Sequence, residues 1–283
     1  MILLDGKKTA TDLKNKIKLE LDALYKKGLP RCNLYMVLVG CDPASEVYVR
    51  NKTASCAEVG IGGVLIRLPE TATQSEVESV VKELAVNDEA HGILVQLPLP
   101  EGLDGNGVTA LVPPEKDVDG FTAQSLGALV TGEEGFLSCT PGGIVYMLKS
   151  YGVNLSGKHA VVIGRSKIVG KPMALALLNE DCTVTVCHRK TERLKEICLS
   201  ADLIVVAVKS PCFLKADMVK DGAIVVDVGI NRTENGLKGD VDFDGVSAKC
   251  SYISPVPGGV GPMTVAYLIN NTFEAYKKSL GIK

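Results

Sequence analysis

The stretch AVVIGRSKIVGKPMALALL, residues 160–178, decides the fold. Its apolar, β-branched start predicts a strand that ends near Ile163, and its second half predicts a helix. Between them, Gly164 permits a tight turn, and the N–H groups that open a helix favour an anion at its positive end. Ser166 stands where the common G-x-G-x-x-G pattern has its second glycine, and Gly170 comes later than the third. Taken alone, the turn indicates either a phosphate-binding loop or a glycine-rich turn without a ligand.

The next predicted strand, TVTVCH (183–188), ends in the residues that indicate which dinucleotide would suit this turn. A fold that selects NAD usually has Asp or Glu at this point, to hold the ribose hydroxyls. Here Arg189 and Lys190 follow the strand instead. An arginine suits a 2′-phosphate through a charge-assisted contact, whereas two solvated loop cations are the alternative. With the spacing of the βαβ unit, the pattern favours NADP.

Strand and helix patterns alternate along the rest of the chain. Further strands are predicted at LYMVLVG (34–40), VLIRLP (64–69), GILVQLPLP (92–100), LIVVAV (203–208), AIVVDVG (223–229) and YISPV (252–256). Amphipathic helical patterns separate most of them, and GPMTVAYLINNTFEAYKKSL (261–280) predicts a long final helix. Strands that alternate with helices predict parallel sheets covered by helices, so the fold class is α/β.

The composition shifts toward Gly, Ser and Thr around residues 120–140, which predicts a junction between two α/β domains. Residues 1–120, with the C-terminal helix 264–283, are predicted to form a catalytic domain. Residues 140–263 are predicted to form a Rossmann-type dinucleotide-binding domain, with an active-site cleft between the two domains.

Composition excludes several classes of function. Of the 283 residues, 46% are hydrophobic and 23% charged, and the net charge of -2 gives no basic field for nucleic acid or an anionic membrane. No apolar run is long enough to span a bilayer, and the N-terminus lacks the pattern of a secretory signal. The nine cysteines include no C-x-x-C pair and the three histidines lie far apart, so we expect free thiols, a cytoplasmic location and no metal site.

The segment EVYVRNKTASC (46–56) lies in a predicted helix from about Ser45 to Val59. Tyr48 and Lys52 are one turn apart and therefore share a face, whereas Arg50 and Asn51 point elsewhere. A lysine in such a helix most often covers a solvated face. The local patterns likewise make Gln96 a polar residue at a strand end and Asp119 a turn residue before Gly120.

Two later loops follow predicted strands and can reach a ligand at the carboxyl ends of those strands. In VDVGINR, Ile230 is placed to pack beside a nicotinamide. In SPVPGGVGPMT, residues 254–264, glycines and prolines expose the backbone just before the last helix. A structural turn is the alternative, although the segment is longer than a simple strand-to-helix connection needs.

Six segments together resemble one family, the bifunctional methylenetetrahydrofolate dehydrogenase/methenyltetrahydrofolate cyclohydrolases. They occur in family order and cover nearly the whole chain: YVRNK (48–52), GILVQLPLP (92–100), KDVDGF (116–121), CTPGG (139–143), VVIGRSKIVGKP (161–172) and PVPGGVGPMT (255–264). The resemblance implies oxidation of 5,10-methylenetetrahydrofolate to the 5,10-methenyl cation with NADP. It also implies hydrolysis of the cation to 10-formyltetrahydrofolate, within one-carbon metabolism and purine biosynthesis.

The resemblance also assigns residues. It implies that Lys52 is the catalytic lysine, that Gln96 hydrogen-bonds it, that Tyr48 lies along the folate ring and that Asp119 anchors the pterin. Further substrate contacts are implied for Val49, Arg50, Asn51, Val95, Leu97, Pro255, Pro257, Gly258, Gly259, Val260, Gly261, Pro262 and Met263. Cofactor contacts are implied for Gly164, Arg165, Ser166, Arg189 and Ile230, and a homodimer through the nucleotide-binding domains.

Two departures from the family pattern affect the cofactor side. Arg189 stands where several relatives have serine, and Lys209 and Ser210 replace a turn that is often glycine-rich. Three alternatives stay open: a dehydrogenase without cyclohydrolase activity, a non-catalytic NADPH-binding protein, and a shikimate-type dehydrogenase, which also pairs a catalytic lysine with two α/β domains.

Overall fold

The computed structural model describes residues 1–234 and 236–282, which form two compact units. The N-terminal unit contains Thr11–Cys139 and Val265–Lys283. Lys283, the last residue of the predicted catalytic domain, lies outside the described residues. The C-terminal unit contains Met1–Ala10 and Thr140–Thr264. The predicted class, two α/β domains with the second of Rossmann type, is confirmed.

Strands and helices alternate as the sequence patterns predict. The strands are β1 (Ile2–Leu3), β2 (Asn33–Val39), β3 (Gly62–Leu68), β4 (Gly92–Val95), β5 (His159–Ile163), β6 (Thr183–Cys187), β7 (Leu203–Val206), β8 (Ile224–Asp227), β9 (Asn231–Thr233), β10 (Gly236–Lys238) and β11 (Tyr252–Ile253). The helices are α1 (Gly6–Lys26), α2 (Pro43–Val59), α3 (Gln74–Ala85), α4 (Gly105–Thr109), α5 (Ala123–Thr131), α6 (Cys139–Ser150), α7 (Gly170–Leu178), α8 (Leu194–Ser200), α9 (Phe243–Ser247) and α10 (Val260–Ser279). Two short 3-10 helices span Pro114–Lys116 and Ala216–Met218.

The N-terminal unit contains a three-stranded parallel sheet in the order β3-β2-β4. Its central strand is mostly buried, as expected for a parallel strand with both faces covered, and this explains its continuous apolar sequence. Helix α3 begins with a capping box between Thr73 and Glu76, and it buries Val77, Val81 and Leu84 against the sheet.

The C-terminal unit contains a six-stranded sheet in the order β1-β11-β8-β7-β5-β6, in which each adjacent pair is parallel. The first strand of the chain, β1, forms one edge of this sheet, and after the N-terminal unit the chain re-enters the sheet at β5, next to the opposite edge. It then adds β6 as that edge and β7, β8 and β11 on the other side of β5, toward β1. The strand order reverses between β5 and β7, and ligands of open α/β sheets bind at such a switch point, outside the carboxyl ends of the strands.

The unit boundary differs from the predicted domain boundary at the N-terminus. Met1–Ala10 belongs to the C-terminal unit because β1 pairs with β11 and because the Lys7 N–H donates to the Gly258 carbonyl oxygen. A two-residue strand carries too little periodicity to be recognised from sequence. The β9–β10 hairpin was also missed, although the Asn-Gly pair at 235–236 is a hairpin signal in the sequence.

All nine cysteines lie within the described residues and are free thiols, and seven of them are buried. None of the helices in the described part of the chain is both long and apolar enough to cross a bilayer.

Candidate active site

Helix α2 presents Tyr48 and Lys52 on the same side, one turn apart. Asp42 caps the helix by accepting a hydrogen bond from the Ser45 N–H at 2.8 Å, Pro43 occupies its first turn, and left-handed Gly60 ends it. The buried stripe of the helix anchors it to the unit. Tyr48 is 48% exposed beside this stripe, and Lys52 is partly buried. The helix therefore offers an aromatic face and an amine together.

Lys52 Nζ donates a hydrogen bond to Gln96 Oε1 at 3.1 Å. Gln96 follows β4 and is only 8% exposed. Its Nε2 donates to the Leu97 carbonyl oxygen at 2.7 Å, which turns the amide oxygen toward the lysine. The structure thus brings together a lysine and a glutamine that are 44 residues apart in the chain.

Asp119 is the third polar group of this cluster. Loss of solvent around its carboxyl raises the pKa of Asp119, whereas the positive charge of Lys52 acts in the opposite direction. The nearby negative charge of Asp117 adds to the rise, and a hydrogen bond with the Cys139 thiol opposes it. Asp119 therefore lies close enough to Lys52 for the two charges to interact.

Asp117 and Cys139, which sequence reasoning did not select, shape the surroundings of Asp119. Asp117 is buried, and its carboxylate accepts hydrogen bonds from the backbone N–H groups of Gly120, Phe121 and Thr122 at 2.9–3.2 Å. Those bonds hold the turn that carries Asp119. Burial raises the pKa of the Cys139 thiol well above its usual value, so the thiol stays neutral, and it donates its hydrogen to the Val118 carbonyl oxygen at 3.3 Å. The available signal was the paired aspartates of KDVDGF.

In the C-terminal unit, the predicted nucleotide turn connects β5 to α7. Gly164 has φ +130°, and a Cβ there would lie 2.4 Å from the Ala207 carbonyl oxygen, so only glycine fits. Ser166 Oγ accepts hydrogen bonds from the N–H groups of Val169 and Gly170 at 3.2 and 3.3 Å, which shapes the entry to the helix. Arg165 and Ser166 are exposed at this turn.

Arg189 and Lys190 are exposed directly after β6, the strand next to β5. The turn that carries them is fixed by hydrogen bonds between His188 and the residues that follow it, among them one from the Thr191 N–H to the His188 carbonyl oxygen at 2.8 Å. The His188 N–H donates to Thr191 Oγ1 at 2.8 Å, and the Lys190 N–H donates to His188 Nδ1 at 3.2 Å. Both cations therefore follow the strand next to β5, as the sequence predicts.

A cavity of about 150 Å³ lies at the carboxyl ends of β8 and β11. Its lining is mainly backbone and apolar side chains: residues 227–230, Leu237 and residues 255–262. Ile230 is half exposed at this cavity, and Leu237 comes from the β9–β10 hairpin that the sequence analysis missed. The apolar lining suits one face of a flat ring.

The predicted site residues therefore fall into separate groups. Lys52, Gln96 and Asp119 come together in the N-terminal unit. Ile230 and most of the glycine- and proline-rich loop share one cavity in the C-terminal unit. The side chains of Val49 and Met263 are buried in the packed interior, and Arg50 and Asn51 are exposed. Across residues 1–234 and 236–282, no group of three or more His, Cys, Asp and Glu side chains could hold a metal ion.

Two family models together match nearly the whole chain. Residues 4–119 match the catalytic domain of tetrahydrofolate dehydrogenase/cyclohydrolase, and residues 138–280 match the NAD(P)-binding domain of the same family. The bifunctional protein FolD of Campylobacter concisus is 57% identical over 276 residues, which is 97% of each chain.

Solved structures agree with these matches. The bifunctional enzyme FolD, methylenetetrahydrofolate dehydrogenase/cyclohydrolase, from Campylobacter jejuni is 48% identical, with a TM-score of 0.96 over 98% of this chain and 99% of that one. The methylenetetrahydrofolate dehydrogenase-cyclohydrolase of Trypanosoma brucei, solved with NADP and an inhibitor, is 34% identical, with a TM-score of 0.93 over 99% of this chain and 98% of that one. Both family models belong to the same folate family, and this excludes the alternative that the chain is a shikimate-type dehydrogenase. The chain belongs to the tetrahydrofolate dehydrogenase/cyclohydrolase family.

Proposed function

We propose that this chain oxidises 5,10-methylenetetrahydrofolate to the 5,10-methenyl cation with NADP and hydrolyses the cation to 10-formyltetrahydrofolate. The observation that carries the proposal is the Lys52–Gln96 hydrogen bond, with the Asp119 carboxyl close enough to respond to the lysine charge. A non-catalytic NADPH-binding protein has no need for this polar set. The folate substrate needs both parts of this set. Its pterin offers N–H donors that suit the Asp119 carboxylate, and its one-carbon bridge requires proton movement that suits the Lys52 amine.

In this proposal, Asp119 and Tyr48 hold the folate. The Asp119 carboxylate accepts hydrogen bonds from the amino group and ring N–H of the pterin, because an ionised carboxylate has acceptors only. The half-exposed ring of Tyr48 lies along the folate ring system. The remaining contacts in residues 48–52, 95–97 and 255–263 stay predictions.

The chain has residues suited to NADP. Gly164 lets the backbone turn tightly before α7, whose N-terminus favours a phosphate. The exposed Arg165 and Arg189 supply positive charge for the phosphates, with Arg189 following the strand where a 2′-phosphate is bound in such folds. NADP, when bound, supplies the hydride acceptor. The chain then needs only to align the two rings, with Ile230 packing beside the nicotinamide.

Hydrolysis places the larger chemical demand on the side chains. Water adds to the carbon of the methenyl cation and loses a proton, and the bond to a ring nitrogen then breaks as that nitrogen gains a proton. We assign these proton movements to Lys52 Nζ. Gln96 orients the amine through a neutral oxygen, which stabilises the charged amine less than a carboxylate would. A cleft shared by both steps stays a prediction.

We also propose a cytoplasmic homodimer that supplies one-carbon units for purine biosynthesis. Free thiols throughout the described chain suit a reducing compartment. Strand β6 lies at an edge of the six-stranded sheet, and Val186 on it is 41% exposed, which supports pairing through the nucleotide-binding domains.

One absorbance assay tests the enzymatic proposal. Purified protein is mixed with 5,10-methylenetetrahydrofolate and NADP, and the methenyl product is followed as it forms and decays. We expect formation and then enzyme-dependent decay. Formation without enzyme-dependent decay would identify a dehydrogenase only, and no formation at saturating substrate would end the proposal.

A further inference from the structure

Two buried aspartates, Asp227 and Asp240, lie behind the loops of the C-terminal unit that face the proposed dinucleotide. One loop, residues 207–210, follows β7 and borders the switch point of the sheet. It touches the nucleotide turn directly, because the Ala207 carbonyl oxygen occupies the space that a Cβ at Gly164 would need. The other loop, residues 228–231, follows β8 and carries the half-exposed Ile230.

The carboxylate of Asp240 accepts hydrogen bonds from the backbone of the first loop. The side chain is 0% exposed, and its Oδ2 accepts hydrogen bonds from the N–H groups of Val208 and Lys209 at 2.7 and 2.9 Å. Its Oδ1 accepts from the Ser210 N–H at 2.8 Å. Three successive backbone donors thus converge on one carboxylate, in the manner of an anion-binding nest. Lys209 has φ +56°, a conformation that persists only where the surroundings hold it.

The same carboxylate also holds the second loop. Asp240 Oδ1 accepts a hydrogen bond from Asn231 Nδ2 at 2.9 Å, and Asn231 Nδ2 also donates to the Lys238 carbonyl oxygen. Asp227, which ends β8, accepts from the Gly229 N–H at 2.9 Å within this loop. One buried group therefore joins the loop after β7 to the loop after β8.

The two aspartates hold each other's segments in a reciprocal arrangement. Asp227 accepts hydrogen bonds from the N–H groups of Asp240 and Val241, both at 2.9 Å. A Cβ at Gly239 would lie 1.8 Å from Asp227 Oδ2, and a Cβ at Gly229 would lie 2.3 Å from the carboxyl carbon of Asp240. Each carboxylate thus packs on a glycine beside the other aspartate. We name Asp227, Gly229, Gly239 and Asp240 the aspartate clasp.

We propose that the aspartate clasp positions the two cofactor-facing loops, with Asp240 as its principal positioning residue for the dinucleotide. The inference rests on the proposed binding of NADP. The four hydrogen bonds that Asp240 accepts here all come from N–H groups, two on each carboxylate oxygen, so this position requires two acceptor oxygens. A loop that is already held in one conformation loses less conformational freedom when a ligand binds, and affinity rises accordingly.

Asp240→Asn is the sharpest test, because it keeps the size of the side chain and replaces one acceptor oxygen with a donor. Either orientation of the amide sets its NH2 group against loop N–H groups. We expect the Kd for NADP to rise by about tenfold or more, as for a lost hydrogen bond to a charged group. Calorimetry gives this Kd, and amide hydrogen exchange of the ligand-free protein should show faster exchange at residues 208–210.

Asn231→Ala provides a milder variant in case Asp240→Asn does not fold. It removes the amide bridge between the loops from a residue that is only partly buried, and we expect a rise of about threefold in the Kd for NADP. The matched control is Thr233→Ala, which removes a hydrogen bond to the Gly236 carbonyl oxygen in the same hairpin without touching the clasp. The control should bind NADP as the unmodified protein does.

The affinity for an unreactive folate analogue separates a positioning role from a general loss of stability. Lys52, Gln96 and Asp119 lie in the N-terminal unit, and neither Asp240 nor Asn231 is among the predicted folate contacts, so Asp240→Asn and Asn231→Ala should weaken the analogue far less than NADP. Unchanged NADP affinity in a folded Asp240→Asn variant, or in Asn231→Ala if the first does not fold, would overturn the inference and leave the proposed function standing. Equal weakening of both ligands would overturn it as well. An unmodified protein that binds no NADP would overturn the proposed function and this inference together.

Discussion

At the scale of single residues, the amine of Lys52 is the group that separates the two proposed reactions. Lys52→Met keeps the length of the side chain and removes the proton carrier. We expect cyclohydrolase activity to fall by about 10²–10⁴-fold, the usual contribution of general acid–base catalysis, and dehydrogenase activity to be retained or moderately reduced. Formation and decay of the methenyl product, followed in one cuvette, measure both rates.

Lys18→Met is the matched control for this variant, since Lys18 is an exposed lysine on α1 that pairs with Asp22. It should leave both rates unchanged. Hydrolysis at the unmodified rate in Lys52→Met would refute the role assigned to the lysine.

The raised pKa of Asp119 predicts how folate binding depends on pH. The proposed contact needs the carboxylate, which is lost as the pH falls through the pKa of the group. Because burial raises that pKa above the ordinary value of 3.8, binding should weaken at a higher pH than an exposed aspartate would give. The Kd of an unreactive folate analogue, measured by calorimetry between about pH 7.5 and 4.5, should rise toward the acid end.

Asp119→Asn should bind the analogue more weakly at neutral pH, and its Kd should lack the part of the rise toward acid pH that comes from titration of Asp119. The analogue titrates identically in both experiments, so the difference between the two profiles isolates Asp119. Parallel profiles for the two proteins would contradict the prediction.

At the scale of elements, the turn between Asp117 and helix α5 carries Asp119 into place. Ser125 Oγ donates to Asp117 Oδ2 at 2.6 Å, and Thr122 caps the helix by accepting from the Ser125 N–H. Ser125→Ala removes the bond to Asp117 and the bond that Ser125 Oγ accepts from Thr122 Oγ1 at 3.2 Å, both at a buried site. We expect a loss of about 1–2 kcal/mol in the free energy of unfolding and a several-fold rise in KM for folate, with kcat little changed. Urea denaturation and steady-state kinetics provide the two measurements.

Ser79→Ala is a suitable control, because the Ser79 hydroxyl donates only to the Ser75 carbonyl oxygen on the exposed side of α3. A Ser125→Ala variant that loses stability while KM stays unchanged would show that the turn does not position Asp119.

The end of β6 is the second element for which the proposed function makes a prediction, because Arg189, which follows it, is proposed to select NADP over NAD. In the proposed complex, Arg189 makes a charge-assisted contact with the 2′-phosphate of NADP, a group that NAD lacks. Arg189→Ala should therefore raise the Kd for NADP by about tenfold or more and leave the Kd for NAD nearly unchanged. Calorimetric titration with each dinucleotide tests this, and equal losses for both would show that Arg189 does not select the cofactor.

At the scale of the whole molecule, the edge of the six-stranded sheet bears on assembly. A buried parallel sheet rarely leaves a β-branched edge strand open to water, because its unpaired backbone groups invite pairing with another chain. Val186→Arg introduces a charge on this edge and should shift the proposed homodimer to a monomer. Light scattering after size exclusion measures the mass, and Val86→Arg, at an exposed position of the N-terminal unit, is the control. A dimer that survives Val186→Arg would place the interface elsewhere.

Much of this architecture follows from local sequence. Apolar, β-branched runs such as residues 203–206 predict strands buried on both faces, and the glycine at 164 predicts a tight turn between a strand and a helix. The 3.6-residue period of α2 placed Tyr48 beside Lys52 before any contact was known. These features depend on neighbours within a few residues, which is why the sequence by itself determined them.

Contacts between distant segments were decided only by tertiary structure. Nothing near Lys52 indicates that its partner is Gln96, and nothing near Asp240 indicates that it would gather the backbone of residues 208–210 from 30 positions away. The first ten residues joined the C-terminal unit through a strand too short to show a period. Such contacts arise because buried polar groups must find partners wherever the packed chain brings donors and acceptors together, and sequence separation does not encode that proximity.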